Sequence, residues 1–556
     1  MPQPPASQSC RNCGSSFALT ARDRSFYEAI QVPHPTWCPD CRMLRRMAHC
    51  NEGALYPGNC SQCSKRIISQ YAPGARWPVL CVHCWWSQNW NAESFGREPD
   101  FTRPFFEQFR ELEMTVPHAC VSIDTASENC DYTHHAGNNR NCYFIFHASQ
   151  SEDYYYGYGV KRATSCVDVH NCFVSELCYE CVDVDNCYDV QWSQDCFNCS
   201  SSRFIRDCIG CQNCFLSVGL RNKSYYFLNE QLTRAEYERR LASLDLGSHA
   251  EVTRLKEQFR LLQSNHVWRD CQVRSVENST GNYLINAKDS FNCFDCRDAE
   301  QCRYCAQLQL GSRTSYDIYQ FGIDMELCYE GAMIGANAYN VHFGVLCITS
   351  VSNLSYCIDC YSSSDSLLCF GLRNAKYCIL NRAYDKHSYE ALRERIIAKM
   401  TSDGEYGEFF PVSFSQFGYN ETTAHQWFPL TREEVIAKGW AWRDELRDTR
   451  GKETIQGLPD NIREAPDSFS KEVLACDSCE RNYRVTAQEL AYYRRSSIPV
   501  PRLCFPCRRQ ARAAQRNPRE LHSRECSTCG APIMTPYNPT ARECVCCEAC
   551  YTKALL

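Results

Sequence analysis

Cysteines in Cys-x-x-Cys pairs are the residues of this chain whose type and spacing most clearly support chemistry. Two such pairs joined by a loop can present four thiolates in a tetrahedron around a zinc ion, with Zn–S bonds of about 2.3 Å. Eight pairs lie near the ends of the 556-residue sequence: Cys10 and Cys13, Cys38 and Cys41, Cys60 and Cys63, Cys81 and Cys84, Cys476 and Cys479, Cys504 and Cys507, Cys526 and Cys529, and Cys547 and Cys550. Taken two by two in chain order, they predict four structural zinc sites.

The C-terminal pairs repeat the N-terminal pairs at a constant offset of 466 residues. The loop between pairs holds 24 residues in the first site and 17 in the second, in both copies. Neighbouring residues keep the same offset, among them Thr20 and Thr486, Pro33 and Pro499, Arg42 and Arg508, Arg46 and Arg512, and Tyr71 and Tyr537. A constant offset over so many positions indicates a duplicated module of about 75 residues.

Zinc binding would supply much of the folding free energy of such small modules, on the order of 10 kcal/mol per site. The alternative is that these cysteines are small buried hydrophobic residues or a redox pair. At the C-terminus the run RECVCCEACY allows two choices of Cys-x-x-Cys pair, or knuckle. The register of the N-terminal copy selects Cys547 and Cys550. Cys544 and Cys546 are then spare, as Cys50 is. We expect about four zinc ions per chain, and more if central cysteines bind metal.

The first module of each pair, with its CPDCR or CFPCR knuckle followed by a predicted helix, resembles the zinc-ribbon and treble-clef domain family over about 40 residues. The whole chain is similar to large bacterial zinc-ribbon proteins with a cysteine-rich repeat centre. That resemblance implies zinc binding and implies no established activity.

Between the modules lies a second duplication, anchored by GLRNKSYYFLN at 219–229 and GLRNAKYCILN at 371–381. A period of 21 aligns Cys166, Cys187 and Cys208, which predicts a β-solenoid with stacked coils. Cysteine would line its interior, and Asn would occupy turns that need left-handed backbone. The alternative is further zinc at the pairs 178/181, 196/199, 293/296 and 302/305. Because residues three apart on a regular strand face opposite ways, such pairs would have to lie at coil corners.

The predicted fold is mixed and mainly β, with zinc-ribbon or treble-clef modules at both ends of a tandem cysteine-rich β-solenoid that has capping helices. The predicted domains are a paired zinc module at 1–115, solenoid repeat A at 116–230, a helical cap or insertion at 231–268, solenoid repeat B at 269–385, a helix with irregular connector at 386–475, and the second paired zinc module at 476–556.

Charge is distributed unevenly along the chain. Residues 1–115 hold 12 Lys and Arg against 10 Asp and Glu, residues 476–556 hold 13 against 7, and the remainder holds 34 against 48. Arginines after the second knuckle could meet phosphates from a helix face, or offset the charge of a four-thiolate site: Arg42, Arg45, Arg46, Arg508, Arg509, Arg512, Arg516 and Arg519. The net charge of −6 disfavours a protein that binds nucleic acid over its whole surface.

The sequence gives few signs of catalysis or of a membrane. It has no phosphate-cradling glycine loop, nucleophile elbow or histidine-rich metal helix. His134 and His135 are interpreted as hydrogen-bonded structural residues, and Tyr154, Tyr155, Tyr156 and Tyr158 as a ladder on the solenoid flank. Without a basic start and apolar run, and with 43 cysteines in thiolate-metal patterns, the chain is expected in the cytoplasm.

Two classes of function follow from these observations. The first is a non-enzymatic structural zinc scaffold whose terminal modules bind protein, nucleic acid or another copy of the chain. The second is a thiol-redox or zinc-dependent enzyme, which would need an open metal position, whereas each terminal site offers four matched cysteines.

Overall fold

The computed structural model describes residues 6–309, 311–323, 325–444 and 449–555. It is mainly β, with a cysteine-rich β-solenoid centre and zinc-module-like ends, as the sequence predicts. The N-terminal region contains β1 Ala6–Ser9, β2 Ser16–Leu19, α1 Ala21–Ala29, α2 Pro39–Met47, β3 Tyr56–Asn59, β4 Arg66–Ser69, β5 Val79–Leu80, α3 Val82–Trp86, α4 Phe105–Glu113 and β6 His118–Ala119.

Solenoid A follows, with parallel strands and a helical segment after it. Its elements are β7 Glu128–Asp131, β8 His134–Gly137, β9 Arg140–Ser149, β10 Tyr155–Lys161, β11 Val167–Phe173, β12 Val182–Asp185, β13 Tyr188–Gln191, β14 Gln194–Phe197, β15 Ser200–Arg206, β16 Gln212–Val218, β17 Ser224–Phe227, β18 Glu230–Gln231, α5 Arg234–Ala242, α6 His249–Ser264 and β19 Val267–Arg269.

Solenoid B has the same construction and also ends in a helix. Its elements are β20 Val273–Arg274, β21 Gly281–Ile285, β22 Cys293–Arg297, β23 Ala299–Glu300, β24 Ala306–Leu308, β25 Ser312–Arg313, β26 Tyr316–Gly322, β27 Tyr329–Gly335, β28 Tyr339–Val345, β29 Ser352–Ser355, β30 Ser364–Leu367, β31 Lys376–Ile379, β32 Arg382–Ala383 and α7 Lys386–Ser402.

The remaining described chain contains short helices and the C-terminal modules. Its elements are α8 Thr423–Trp427, α9 Arg432–Ala437, β33 Leu474–Ala475, β34 Asn482–Tyr483, α10 Ala487–Arg495, α11 Phe505–Ala513, β35 His522–Glu525, β36 Pro532–Thr535, β37 Cys544–Cys546 and α12 Glu548–Ala554. Within the described ranges, every helix is too short or too polar to span a bilayer.

The solenoid coil is shorter than the period of about 20 that we predicted. In solenoid A, Tyr155 pairs with Val167, so one coil takes 12 residues. In solenoid B, consecutive coils of 13 residues, as from Tyr316 to Tyr329, are followed by coils of 12, as from Ser352 to Ser364. The predicted period of 21 was therefore wrong as a coil length, although it is a multiple of the three-residue spacing that builds the coil.

Left-handed residues at every third position build this coil. Asn186, Asp189, Trp192, Asp195 and Asn198 all have φ between 49° and 54°. Asn and Asp tolerate this conformation better than other residues with a side chain, which explains their abundance. Each such residue turns the chain, so four three-residue sides close one 12-residue coil.

The cysteines occupy one position of this triplet. Every cysteine from Cys130 to Cys214 and from Cys293 to Cys378 directly follows a left-handed residue, and all of them except Cys130 are buried. The prediction that cysteine lines the interior is confirmed. Cysteines three residues apart face the same interior because a left-handed residue at each corner of the coil lies between them, whereas on a regular strand they would face opposite ways.

Asparagines stabilise the coils and close their ends. Asn186 donates to the side chain of Asn198, one coil further on, at 2.6 Å. At the ends, Asn229 and Asn381 each bond both the N–H and the C=O of a residue in the preceding coil, at 2.8–2.9 Å. These two asparagines are the last residues of the two repeated anchors, so each anchor ends a solenoid.

The chain divides into two compact units that interleave along the sequence. Unit 1 contains residues 1–121 and 271–444, and therefore combines the N-terminal zinc pair with solenoid B. Unit 2 contains residues 122–270 and 445–556, and combines solenoid A with the C-terminal zinc pair. The domain boundaries given above remain a prediction, but the pairing of each zinc module with the solenoid more distant in sequence was not predicted.

Candidate metal centres

The structure brings the sixteen terminal cysteines into the four sets that spacing predicts. In each set the four Sγ atoms lie within 4.8 Å of one another: Cys10, Cys13, Cys38 and Cys41; Cys60, Cys63, Cys81 and Cys84; Cys476, Cys479, Cys504 and Cys507; and Cys526, Cys529, Cys547 and Cys550. All sixteen are free thiols.

The sulfur separations fit a zinc tetrahedron. Zn–S bonds of about 2.3 Å require an edge of about 3.8 Å between sulfurs. The Sγ atoms of Cys13 and Cys38 are 3.8 Å apart, and those of Cys479 and Cys504 are 3.6 Å apart. The second site of each pair also shows 3.8 Å, between Cys63 and Cys81 and between Cys529 and Cys547. The donor set therefore fits zinc, and a bound ion would supply a closed structural cross-link.

Each site takes its ligands from a strand pair and a helix start. The first knuckle lies in the turn between two antiparallel strands, such as β1 and β2. The second knuckle begins a helix, because Cys38, Cys81, Cys504 and Cys547 are the N-cap residues of α2, α3, α11 and α12. The positive end of a helix dipole favours thiolate there.

Backbone N–H groups also prepare the sulfurs for metal binding. The amide of Cys38 donates to Cys10 Sγ at 3.2 Å, and the equivalent amide of Cys504 donates to Cys476 Sγ at 3.2 Å. Burial raises the pKa of the Cys60 thiol, but hydrogen bonds from backbone amides, led by Cys63, lower it to about 6. The same balance lowers the pKa of Cys526 to about 6. These thiols are therefore poised to bind metal as thiolates at neutral pH.

The cysteines outside the sets have separate environments. Cys546 is buried and lies 3.1 Å from the hydroxyl of Thr528, while Cys544 is exposed. Cys50 is buried and donates to the carbonyl of Arg46 at 3.6 Å. The structure thus brings Cys547 and Cys550, as the register predicts, into the fourth set.

The arginines after the second knuckle attach each first module to a solenoid. In unit 1, Arg42 contacts Asp317 through Nε at 3.0 Å and Nη2 at 2.9 Å, and Arg46 adds a third bond at 3.0 Å. In unit 2, the equivalent Arg508 and Arg512 contact Asp168 at 3.3 and 2.8 Å. Both carboxylates and the four guanidinium groups are at most 5% exposed.

Further arginines of the same helices make contacts with solenoid side chains that we did not predict. Arg45 pairs with Glu330, and Arg516 pairs with Asp183 at 2.7 Å. Arg509 lies over the rings of Phe146 and Tyr158. These arginine side chains therefore contact solenoid side chains, and a side-chain contact to a sulfur of the first set comes from Asn12, which donates to Cys41 Sγ at 3.2 Å.

The arginine of each GLRN anchor holds the second module. In unit 1, Arg373 donates to the carbonyls of Trp85 at 2.5 Å and Trp90 at 3.0 Å. In unit 2, the equivalent Arg221 donates to the hydroxyl of Tyr551 at 2.8 Å. Trp85 and Tyr551 are themselves equivalent, each following a second knuckle. The repeated anchor was the sequence signal for this contact, but its partner was not predicted.

The central histidines and tyrosines are structural, with one exception to the expected ladder. His134 is buried and accepts from the amide of Ser122 at 3.0 Å. Tyr158 stacks on His170 at 4.8 Å, and Tyr156 stacks on Phe144, as a flank ladder requires. Tyr154 instead lies in the solenoid interior with no exposed surface.

Comparison with known proteins agrees with the first of these centres. Residues 7–49 match the family model described as "Probable treble clef domain". No curated protein sequence matches the chain. The match covers the first cysteine set, and the other three sets near the termini resemble zinc-binding modules by their geometry.

Proposed function

We propose that this protein is a non-enzymatic zinc scaffold that uses the exposed tips of its terminal zinc modules to bind other macromolecules. One observation carries the proposal. In all four modules the second knuckle begins a helix, whereas the first knuckle turns outward: Cys13, Cys63 and Cys529 are exposed and Cys479 is half-buried. A closed zinc site then acts as a rigid support for the exposed residues between its ligands.

The exposed tips carry different charges at the two ends. Arg11, Lys65 and Arg66 are exposed in the N-terminal pair, while Asp477 and Glu480 are exposed in the third module. Rigid, charged tips give specificity at an interface more than raw affinity. The difference favours two partners of different charge, one for each end.

A nucleic-acid partner is the second candidate, and it is supported by the cationic tips of the N-terminal pair alone. Binding through a few phosphate contacts weakens steeply as salt rises, with a slope close to the number of contacts. Three tip cations therefore predict a log–log slope of about −3 on duplex DNA.

Site-specific crosslinking tests the scaffold directly. A photoreactive residue at Gln62, on the second knuckle tip, is introduced into the full-length protein, with Tyr339 as the matched control because it is 49% exposed on the flank of solenoid B. We expect a discrete protein adduct at Gln62 that is absent at Tyr339 and lost after zinc chelation. Equal labelling at both positions contradicts the proposal, and a nucleic-acid adduct selects the second candidate.

The enzyme alternative requires an open coordination position, and each terminal set supplies four thiols to one centre. Four sulfur ligands complete a tetrahedron, so substrate would have to displace a ligand. The geometry therefore supports a structural role, and measured turnover by any of the four sites would contradict it.

A further inference from the structure

We propose that Cys166, Cys172 and Cys178, with Tyr154, form a fifth zinc site that is enclosed in the interior of solenoid A. Their three Sγ atoms lie within 4.8 Å of one another, as in the terminal sites. Among the residues that the structure describes, no other central cysteines form such a group.

The triplet construction explains why these three thiols converge. Cys166 and Cys178 are 12 residues apart, so they stack on the same side of successive coils. Cys172 is six residues from each of them. Six residues make up two of the four sides of a coil, so Cys172 faces the other two cysteines from the opposite wall. The amide of Cys178 donates to Cys166 Sγ at 3.3 Å. The narrow coil therefore closes a triangle of sulfurs.

Tyr154 supplies a fourth polar group at the same place. It occupies the position one coil before Cys166, has no exposed surface, and its hydroxyl has no hydrogen-bond partner among the described residues. A buried hydroxyl without a partner is costly, which is a reason to look for a ligand. Tyr154 lies in the same buried cluster as Cys166, Cys172 and Cys178.

A glycine makes room for this ring. A side chain at Gly157 would place its Cβ only 2.1 Å from Tyr154 Cε1. The interior is thus shaped around a tyrosine where the neighbouring coils have cysteine at Cys142 and Cys166. If the interior only had to be filled, a cysteine at this position would pack as it does in the neighbouring coils.

Zinc fits this donor set better than Cu⁺ does. Three thiolates and one oxygen give four ligands of the kind zinc accepts in a tetrahedron. With a neutral phenol, the Zn²⁺ complex carries a charge of −1, whereas Cu⁺ with three thiolates would carry −2 in a dry interior, which costs more to bury. Binding releases the three thiol protons.

Solenoid B provides an internal control because its corresponding positions differ. Cys166 lies two residues before Asp168, whereas Ser315 lies two residues before the equivalent Asp317. Cys178 corresponds to Cys328, which lies in the solenoid B interior. A site with three sulfurs therefore cannot form there.

Elemental analysis of the full-length protein and its variants tests the site. Cys172→Ser and Cys166→Ser should each contain one zinc fewer than the wild type, whereas the control Cys328→Ser should match it. Tyr154→Phe should retain the ion but change the visible spectrum of the cobalt-substituted protein. An unchanged zinc content in both cysteine variants, or one equivalent of a metal other than zinc, overturns the proposal.

Chelation of the wild type tests the same site without a mutation. The three thiols have no exposed surface, whereas three terminal sites have an exposed ligand in Cys13, Cys63 or Cys529. With excess chelator at neutral pH, one zinc per chain should persist after the terminal zinc is lost, and it should leave only when the protein is unfolded. Complete loss of zinc from the folded solenoid contradicts an enclosed ion.

Discussion

Units 1 and 2 attach a zinc pair to a solenoid by the same two contacts, but they complete the attachment differently. Both bury a solenoid aspartate between two arginines of the module helix. In unit 1, Asp317 is hydrogen-bonded to Arg42 and Arg46. In unit 2, the oxygens of Asp168 lie near Arg508 and Arg512 but have no hydrogen-bond partner.

The neighbouring residues differ more. Asp23 in α1 accepts from the hydroxyl of Tyr304 at 3.4 Å and also pairs with Arg303 at 3.0 Å. The equivalent Glu489 in α10 accepts from the hydroxyl of Tyr156 at 2.7 Å. Arg45 has Ala511 as its counterpart. Both copies therefore keep the buried aspartate and its two arginines. A single substitution there is costly, because losing one partner leaves the other buried and unpaired.

The largest expected difference comes from removing a zinc ligand in either unit. Cys38→Ser and Cys504→Ser each remove one of four ligands from a site worth on the order of 10 kcal/mol. Each variant should lose one zinc and unfold its own module, which hydrogen exchange at α2 or α11 would report. Cys50→Ser is the control because Cys50 lies outside the sets. An unchanged zinc content in Cys38→Ser would show that the four ligands are grouped incorrectly.

The next largest effect concerns the buried aspartates. Asp317→Asn and Asp168→Asn each remove the closest counter-charge of two buried arginines, at a cost of about 3–5 kcal/mol. We expect the cost to be larger for Asp317, since its contacts are true hydrogen bonds. Urea unfolding with exchange measured separately at α2 and α11 would compare them.

Asp365→Asn serves as the control for these aspartate variants. Asp365 accepts from Asn353 at 2.9 Å on the exposed ladder, and Asn can accept the same bond. Equal destabilisation by Asp365→Asn and Asp317→Asn would mean that the buried ion pairs do not hold the module.

The glutamates Glu330 and Glu180 differ in how exposed their cationic partners are. Arg45, which is 3% exposed, neutralises Glu330, whereas Lys256, which is 48% exposed, neutralises Glu180 at 2.6 Å. Arg45→Ala should therefore destabilise unit 1 by about 2 kcal/mol, while Lys256→Ala should change unit 2 by less than about 1 kcal/mol. Thermal unfolding at fixed zinc concentration measures both, and similar losses would contradict the difference in burial.

The metal sets were predictable because zinc ligation is local. A knuckle and the next knuckle determine a site within about 30 residues, and the constant offset between Cys10 and Cys476 gave each site an independent copy. The choice of partner solenoid was not predictable in the same way. Arg42 and Asp317 are separated by 275 residues, and charge counts by region showed only that basic ends accompany an acidic centre.

The coil length was missed for a different reason. Alternation is the usual pattern of a strand, but a left-handed residue at every third position replaces it here. The sequence contains the signal for a three-residue repeat, since the cysteines from Cys130 to Cys214 are all separated by multiples of three residues. Only the backbone conformation of residues such as Asn186 shows why that phase points inward.

The smallest expected difference between the units depends on pH. Burial, helped by the charges of Arg110 and Arg45 and opposed by hydrogen bonding to the backbone of Phe410, lowers the pKa of His49 to about 4. The equivalent residue in unit 2 is Gln515, which does not titrate. Between pH 6.5 and 4 the unfolded chain binds a proton at this histidine and the folded chain does not, so His49 makes unit 1 less stable as pH falls.

The variant His49→Gln isolates this contribution, since it copies unit 2 at the matching position. Wild type should lose about 1 kcal/mol more than the variant between pH 7.5 and 5.5. Proton competition at the zinc thiolates and at other buried histidines of unit 1, such as His118 and His342, affects both proteins equally and cancels in the difference. Parallel stability curves for the two proteins would show that the pKa of His49 is the same in the folded and unfolded chains, and with it that its pocket against Phe409 and Phe410 is open to water.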